Sequence, residues 1–211
     1  MTDAVEQYIL DHIDPEGAHL QRLNRDAHVN LLRPRMLSGH LQGRFLKMLC
    51  RMINPTYILE LGTYAGYSAL CLAETLPENG ELHTIEIDDE LEDFIRKHID
   101  SSEFGSKIHL HIGDTFDIVP QIDRTFDLVF IDADKRSYCE YFDLVFEKVR
   151  PGGFIIADNT LWDGKVLDVP AANDAQTIGI LNFNEKIASD PRVEKIILPL
   201  RDGITLIYKK A

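Results

Sequence analysis

The chain has 211 residues, 45% of them hydrophobic and 27% charged, which is enough for one full core and ordinary for a globular protein in water. Its formal net charge of −13 opposes generic binding to nucleic acid or to an anionic membrane surface, because both need a basic face. The three cysteines, Cys50, Cys71 and Cys139, form no C-x-x-C pair, which argues against a disulfide framework or structural zinc and fits a reducing cytoplasm.

The stretch Met1–Glu6 is acidic and lacks a signal-type apolar core, and no apolar run approaches the length of a membrane span. Up to about Ile53 the apolar spacing is helical, with one helix expected over His19–Leu32 and another over Leu41–Met52. Between them Pro34 and Gly39 mark a break. From Tyr57 onward, short apolar runs alternate with amphipathic stretches. Strands are expected at Tyr57–Leu61, Leu82–Ile87, Ile108–Ile112, Phe126–Ile131 and Phe154–Ala157. Helices are expected at Ser68–Thr75, Glu90–Ile99, near Ile118, and at Tyr138–Val149, the last stopped by Pro151-Gly152-Gly153. This alternation predicts an α/β fold with a mainly parallel sheet covered on both faces. Val193–Leu198 and Ile204–Tyr208, joined across Asp202-Gly203, predict an antiparallel pair at the end. Leu167–Thr177 gives no reading. The whole predicts a single domain over residues 1–211, with a helical part at 1–53 and an α/β core at 54–211.

In an open α/β sheet, ligands bind beyond the carboxyl ends of the strands. Glu60, Glu86, Gly113, Asp132 and Asp158 all fall at or just past such ends. Gly62 and Gly66 let the backbone approach a ligand, and Glu86 stands where a carboxylate would accept from ribose hydroxyls. Tyr64 occupies the middle glycine of the dinucleotide pattern G-x-G-x-x-G, so a pyrophosphate fits poorly there. An adenosine with an amino-acid tail, S-adenosylmethionine, fits better, with Ser68 adding a hydroxyl. Glu60 needs a partner at its buried strand end, either a ligand amine or a protein group. Asp114 and Thr115 either line an adenine pocket or cap a short helix. Asp132, Asp158 and Asn159 offer hard oxygen ligands suited to Mg²⁺, Ca²⁺ or Mn²⁺. Lys135, beside such a cation, is a candidate general base. Trp162 either packs the loop after Asn159 or walls an acceptor site. His83, His109 and His111 read as one sheet face and not as a ligand set.

Glu60-Leu61-Gly62-Thr63-Tyr64-Ala65-Gly66-Tyr67-Ser68, Phe130-Ile131-Asp132-Ala133-Asp134-Lys135 and Asp158-Asn159-Thr160-Leu161-Trp162 carry a family resemblance. The chain resembles the cation-dependent class I O-methyltransferases of the caffeoyl-coenzyme A and catechol type, in their small bacterial form. The resemblance runs from about Met36 to Lys209. It implies a Rossmann-like, seven-stranded sheet with the last strand antiparallel, and a homodimer. It implies that Asp132, Asp158 and Asn159 bind a divalent cation, Mg²⁺ first, and that Lys135 is the catalytic base. S-adenosylmethionine would be held by Met36, Ser38, Glu60, Gly62, Thr63, Tyr64, Ser68, Glu86, Asp114, Thr115 and Asp132. Asp134, Trp162 and Asp163 would meet a small aromatic acceptor bearing a vicinal diol. The run Leu37-Ser38-Gly39-His40-Leu41 departs from the valine-serine-proline run common in bacterial relatives. The residues alone leave three other readings open: a metal-independent methyltransferase, a non-catalytic nucleotide-binding module, and an NAD-dependent oxidoreductase. Tyr64 and the absence of a Tyr-x-x-x-Lys pair near the site weigh against the last.

Overall fold

The computed structural model describes residues 3–211; Met1 and Thr2, the start of the acidic N-terminal stretch, lie outside the described residues. Helices α1 (Asp3–His12), α2 (Ala18–Asn30) and α3 (Gly39–Ile53) come first. The α/β part follows as β1 (Tyr57–Leu61), α4 (Tyr67–Ala73), β2 (Glu81–Glu86), α5 (Glu92–Asp100), β3 (Ile108–Ile112), α6 (Thr115–Ile118), β4 (Phe126–Ile131), α7 (Tyr138–Phe146) and β5 (Val149–Asp158). It closes with α8 (Ala175–Ser189), β6 (Val193–Leu198) and β7 (Ile204–Lys209).

The seven strands form one sheet in the order β3-β2-β1-β4-β5-β7-β6. Strands β1 to β5 pair in parallel, and β7 runs antiparallel between β5 and β6. The expected reversed strand is therefore present, inserted inside the sheet instead of added at its edge. Odd- and even-placed residues of each central strand feed two separate cores. Ile58, Leu82, Phe130 and Ile156 pack on the face covered by α2, α3 and α4. Leu59, Ile85, Val129 and Ile155 pack on the face covered by α7 and α8. Burial on both faces explains why these strands read as unbroken apolar runs.

Two expectations change. The helix begun at Tyr138 ends at Phe146, and Pro151-Gly152-Gly153 lie inside β5 instead of before it. Phe126 pairs with Val149 and Leu128 with Phe154, so the proline and glycines form a bulge that lengthens the strand. Helix α8 begins inside Leu167–Thr177, the stretch that gives no reading from sequence, and runs on to Ser189. Asp174 caps it, accepting from the Thr177 N–H at 3.1 Å and its hydroxyl at 2.7 Å, and Ile180, Phe183 and Ile187 face the core. Gly179 on this helix lies against the turn that carries Lys135. A Cβ there would come within 2.3 Å of the Lys135 carbonyl oxygen, so only glycine permits the contact.

Candidate active site

The register sets Ile131 of β4 beside Ala157 of β5, so Asp132 and Asp158 stand at equal height on adjoining strand ends. Asp158 is buried, with Oδ2 accepting from Gln42 Nε2 at 2.6 Å and Oδ1 from the Asn159 N–H at 2.7 Å. The Tyr138 hydroxyl donates to the Asp158 carbonyl at 2.9 Å and fixes the strand end from below. Burial, reinforced by the charge of Asp132, pushes the Asp158 carboxyl well above the usual carboxylate range. Asn159 takes a left-handed conformation, φ 59°, as the chain leaves β5. Two crowded carboxylates and an amide, all oxygen donors, make a set that fits a hard divalent cation.

Lys135 is buried beside them. Its Nζ donates to Asp132 Oδ1 at 2.7 Å and to the Ala133 carbonyl at 3.0 Å, and lies 5.2 Å from the centre of the Tyr138 ring. Burial by itself pushes the ammonium down, but Tyr138 and Asp132 outweigh it and hold Lys135 above the ordinary lysine range. Without a ligand, then, Lys135 is a cation neutralising Asp132.

The second half of the site lies at the ends of β1 and β2. Gly62 has φ +94°, and a Cβ there would come within 2.1 Å of the Asp132 carbonyl oxygen, so a glycine is required where the two strand ends touch. Glu60 is fully buried. Thr84 Oγ1 donates to its Oε2 at 2.5 Å, while Oε1 has no hydrogen-bond partner among the described residues. Burial pushes the Glu60 carboxyl up to about 8, against the Ser68 and Thr84 hydroxyls, which pull it down, and with Asp132 and Glu86 adding to the rise. An unpartnered buried oxygen is what a ligand ammonium would satisfy. Thr63 Oγ1 bonds Thr84 Oγ1 at 2.5 Å, and Ser68 is buried in the first turn of α4. Glu86 accepts the Tyr64 N–H at 2.6 Å and the Asp88 N–H at 2.9 Å. That holds its carboxylate rigid at the β2 end, with acceptor capacity to spare for hydroxyls.

The remaining expected residues are placed unevenly. Asp114 caps α6 through the Phe116 N–H at 2.8 Å, and Thr115 is buried just after it. Ser38 is buried at the start of α3, whereas Met36, two residues before, is half exposed. The Asp134 carboxylate is held on both oxygens by Arg136, at 2.5 to 3.0 Å. Trp162 packs against the α7–α8 core while its buried Nε1 has no partner among the described residues. Asp163 lines a cavity of about 300 Å³ with Leu161, Val166, Leu167, Arg201 and Asp202, directly after the Asp158-Asn159 loop. Asp202 is pushed up by burial and then by the charge of Asp163.

Two supporting residues escaped the sequence. Gln42 sits on the buried face of α3, and a buried amide in an apolar helix face signals an unseen partner, here Asp158. Arg201, in the β6–β7 turn, donates through Nη1 to the Leu37 carbonyl at 3.0 Å, to the Ser38 carbonyl and to Gln42 Oε1 at 3.3 Å. Helix α3 thus ties the hairpin to β5, with Gln42 bonded to Arg201 on one side and to Asp158 on the other.

The sequence pattern of the O-methyltransferase family matches residues 12–210. The chain belongs to the O-methyltransferase family. Among the relatives of this O-methyltransferase, a catechol O-methyltransferase of Niastella koreensis is 37% identical, over 99% of this chain and 97% of that protein. A caffeoyl-CoA O-methyltransferase of Nicotiana tabacum is 32% identical, over 97% of this chain and 90% of its own length. The crystal structure of an O-methyltransferase from Bacillus cereus, in complex with S-adenosylhomocysteine, superposes with a TM-score of 0.89 at 32% identity, covering 98% of this chain and 97% of that one. The O-methyltransferase TomG of Streptomyces achromogenes, in complex with S-adenosylmethionine, gives 0.90 at 29% identity with full coverage of both chains. The fold and the reaction family expected from the sequence are both present.

Proposed function

We propose that this O-methyltransferase moves the methyl group of S-adenosylmethionine onto one hydroxyl of a small aromatic vicinal diol, of catechol or caffeoyl type, with the help of a divalent cation. The observation that carries the reading is the meeting of Asp132, Asp158 and Asn159 at adjoining strand ends, with Lys135 against them and the unpartnered Glu60 oxygen one strand away. The names of the two curated relatives support the acceptor class, and the ligands in the TomG and Bacillus cereus structures support the methyl donor.

Glu60 receives the ammonium of the donor, and Glu86 accepts from its ribose hydroxyls. Ser38, Thr63, Tyr64 and Ser68 close around its amino-acid end, and Thr115 flanks the adenine. Asp132, Asp158 and Asn159 are the residues that would hold the cation, Mg²⁺ first. When bound, the cation supplies Lewis-acid polarisation that lowers the pKa of an acceptor hydroxyl. With a cation on Asp132 offsetting one of the charges that hold Lys135 protonated, its ammonium would ease toward the neutral amine, in the direction in which burial already pushes it. Nζ is then able to take the acceptor proton, and the oxyanion attacks the sulfonium methyl. Opposite charges cancel along that path, so a buried, close-held pair favours it. The cavity beside Asp163 and Arg201 is the acceptor's entrance. The reading includes a homodimer, for which edge strand β6 presents half-exposed Ile196 and Ile197.

The test is S-adenosylhomocysteine release with Mg²⁺ and either catechol or phenol as acceptor. Turnover with catechol and none with phenol is expected; equal turnover with both contradicts a diol-specific site.

A further inference from the structure

At the opposite end of β2 from Glu86 the sheet carries a second cluster of ligating side chains. Glu81 and His83 alternate on β2, and the register sets His83 beside His109 and Ile85 beside His111 on edge strand β3. All four polar side chains therefore share one face. The His83 ring stacks on His109 at 4.8 Å and on His111 at 5.3 Å between centres, and Phe126 closes its inner side at 6.1 Å. One ligand atom from each of Glu81, His83 and His109 lies within 4.8 Å of the other two. Five residues at about 3.3 Å each put Glu81 roughly 16 Å from Glu86, well away from the methyl-transfer site.

We propose that Glu81, His83 and His109 form a second metal site, selective for a borderline ion such as Zn²⁺, that clasps edge strand β3 to β2. The donor chemistry separates it from the oxygen-only set at Asp132, Asp158 and Asn159. Two imidazoles and one carboxylate suit zinc and its neighbours, whereas Mg²⁺ and Ca²⁺ prefer oxygen alone. One of the three ligand spacings already has the value for four-coordination, and the other two lie within 4.8 Å. Ligands about 2.0–2.1 Å from zinc stand about 3.4 Å apart in a tetrahedron, and Glu81 Oε2 lies 3.4 Å from His83 Nε2. His109 is exposed, so its ring is able to turn inward to complete the set. His111 supplies the support that metal-bound imidazoles usually have. Its Nε2 lies 3.0 Å from His83 Nδ1, which leaves His83 Nε2 to bind the ion while Nδ1–H donates to His111. A cavity of about 440 Å³, lined by His83, His111, Gln121 and Arg124 among others, gives entry from solvent.

Arg124 is the competitor. It holds both Glu81 oxygens, Nε to Oε2 at 3.0 Å and Nη2 to Oε1 at 3.1 Å, and must release at least one when an ion arrives. It is 41% exposed and is able to swing away into solvent.

The experiment titrates the whole protein with Zn²⁺ in saturating Mg²⁺, which keeps the oxygen site occupied, and follows binding by calorimetry and stability by thermal unfolding. One equivalent of Zn²⁺ is expected to bind and to raise Tm, since an ion bound only by the folded chain stabilises it. His109→Ala, an exposed change that spares the fold, is expected to weaken binding by at least ~10-fold and to abolish the rise in Tm. His111→Phe, which removes only the supporting acceptor, should cost ~10–100-fold. Arg124→Ala should tighten binding. Co²⁺ in place of zinc should give the strong visible absorption of a nitrogen-ligated, four-coordinate ion. No Zn²⁺ binding at micromolar concentration, or binding that His109→Ala leaves unchanged, overturns the proposal.

Discussion

Glu60 is a carboxyl that the fold buries without fully satisfying. In the ligand-free protein its proton is held up to about pH 8, whereas an exposed glutamate loses it near 4.5. The stability contributed by the protonated form is therefore complete below about 4.5 and lost as pH rises through about 8. Chemical denaturation of the ligand-free chain should show that decline, and Glu60→Gln, neutral at every pH, should flatten it. The same substitution removes a charged acceptor for the donor's ammonium. S-adenosylhomocysteine should then bind ~10–100-fold more weakly, in keeping with about 1.5–3 kcal/mol for a hydrogen bond to a charged group; unchanged affinity by calorimetry contradicts the placement. Lys135 makes a second prediction at this scale. Lys135→Met keeps much of the buried stem and removes the amine. Turnover should fall ~10²–10⁴-fold, the usual worth of a positioned base, while affinity for Mg²⁺ persists. If metal affinity falls instead and turnover at saturating Mg²⁺ recovers, Lys135 is only a counter-ion to Asp132.

Helix α3, strand β5 and the β6–β7 turn meet through Gln42, Asp158 and Arg201. Gln42→Leu keeps the helix face apolar and leaves Asp158 Oδ2 without its donor. Mg²⁺ affinity measured by titration should drop ~10–100-fold, as for other residues that orient metal ligands, with kcat at saturating Mg²⁺ nearly preserved. An unchanged Mg²⁺ affinity removes Gln42 from the site. This contact shows where sequence reading stops. The strand ends at Leu61, Ile112, Ile131 and Leu198 were legible because short apolar runs stop there at a glycine, a charge or a proline. Asp132, Asp158 and Asn159, the proposed cation ligands, were legible because each lies at or just past the end of an apolar strand run. Gln42 and Arg201 were not, because their partners lie 116 and 159 residues away along the chain and nothing local marks them. Helix α8 was legible in principle, since Asp174 caps it and Ile180, Phe183 and Ile187 recur at helical spacing. The featureless run before it hid the start. The bulge at Pro151–Gly153 read as a turn because proline and glycine signal breaks in either setting, and only pairing with β4 distinguishes the two.

Across the whole molecule, parallel strands bring groups scattered from Ser38 to Asp163 to one edge of one sheet, while the histidine cluster occupies the other end of β2. The chain's net charge of −13 says little about that edge, where Lys135, Arg136 and Arg201 are among the nearby cations. Among the described residues no helix is long and apolar enough to cross a membrane. In the proposed function the buried carboxylate of Asp158, the part-buried one of Asp132 and the amide of Asn159 gather at this edge to hold a cation that the chemistry requires. The most direct measurement is catechol methylation by protein stripped with a chelator, assayed before and after Mg²⁺ is restored. Activity should vanish with the metal and return with it; full turnover by metal-free protein contradicts the account.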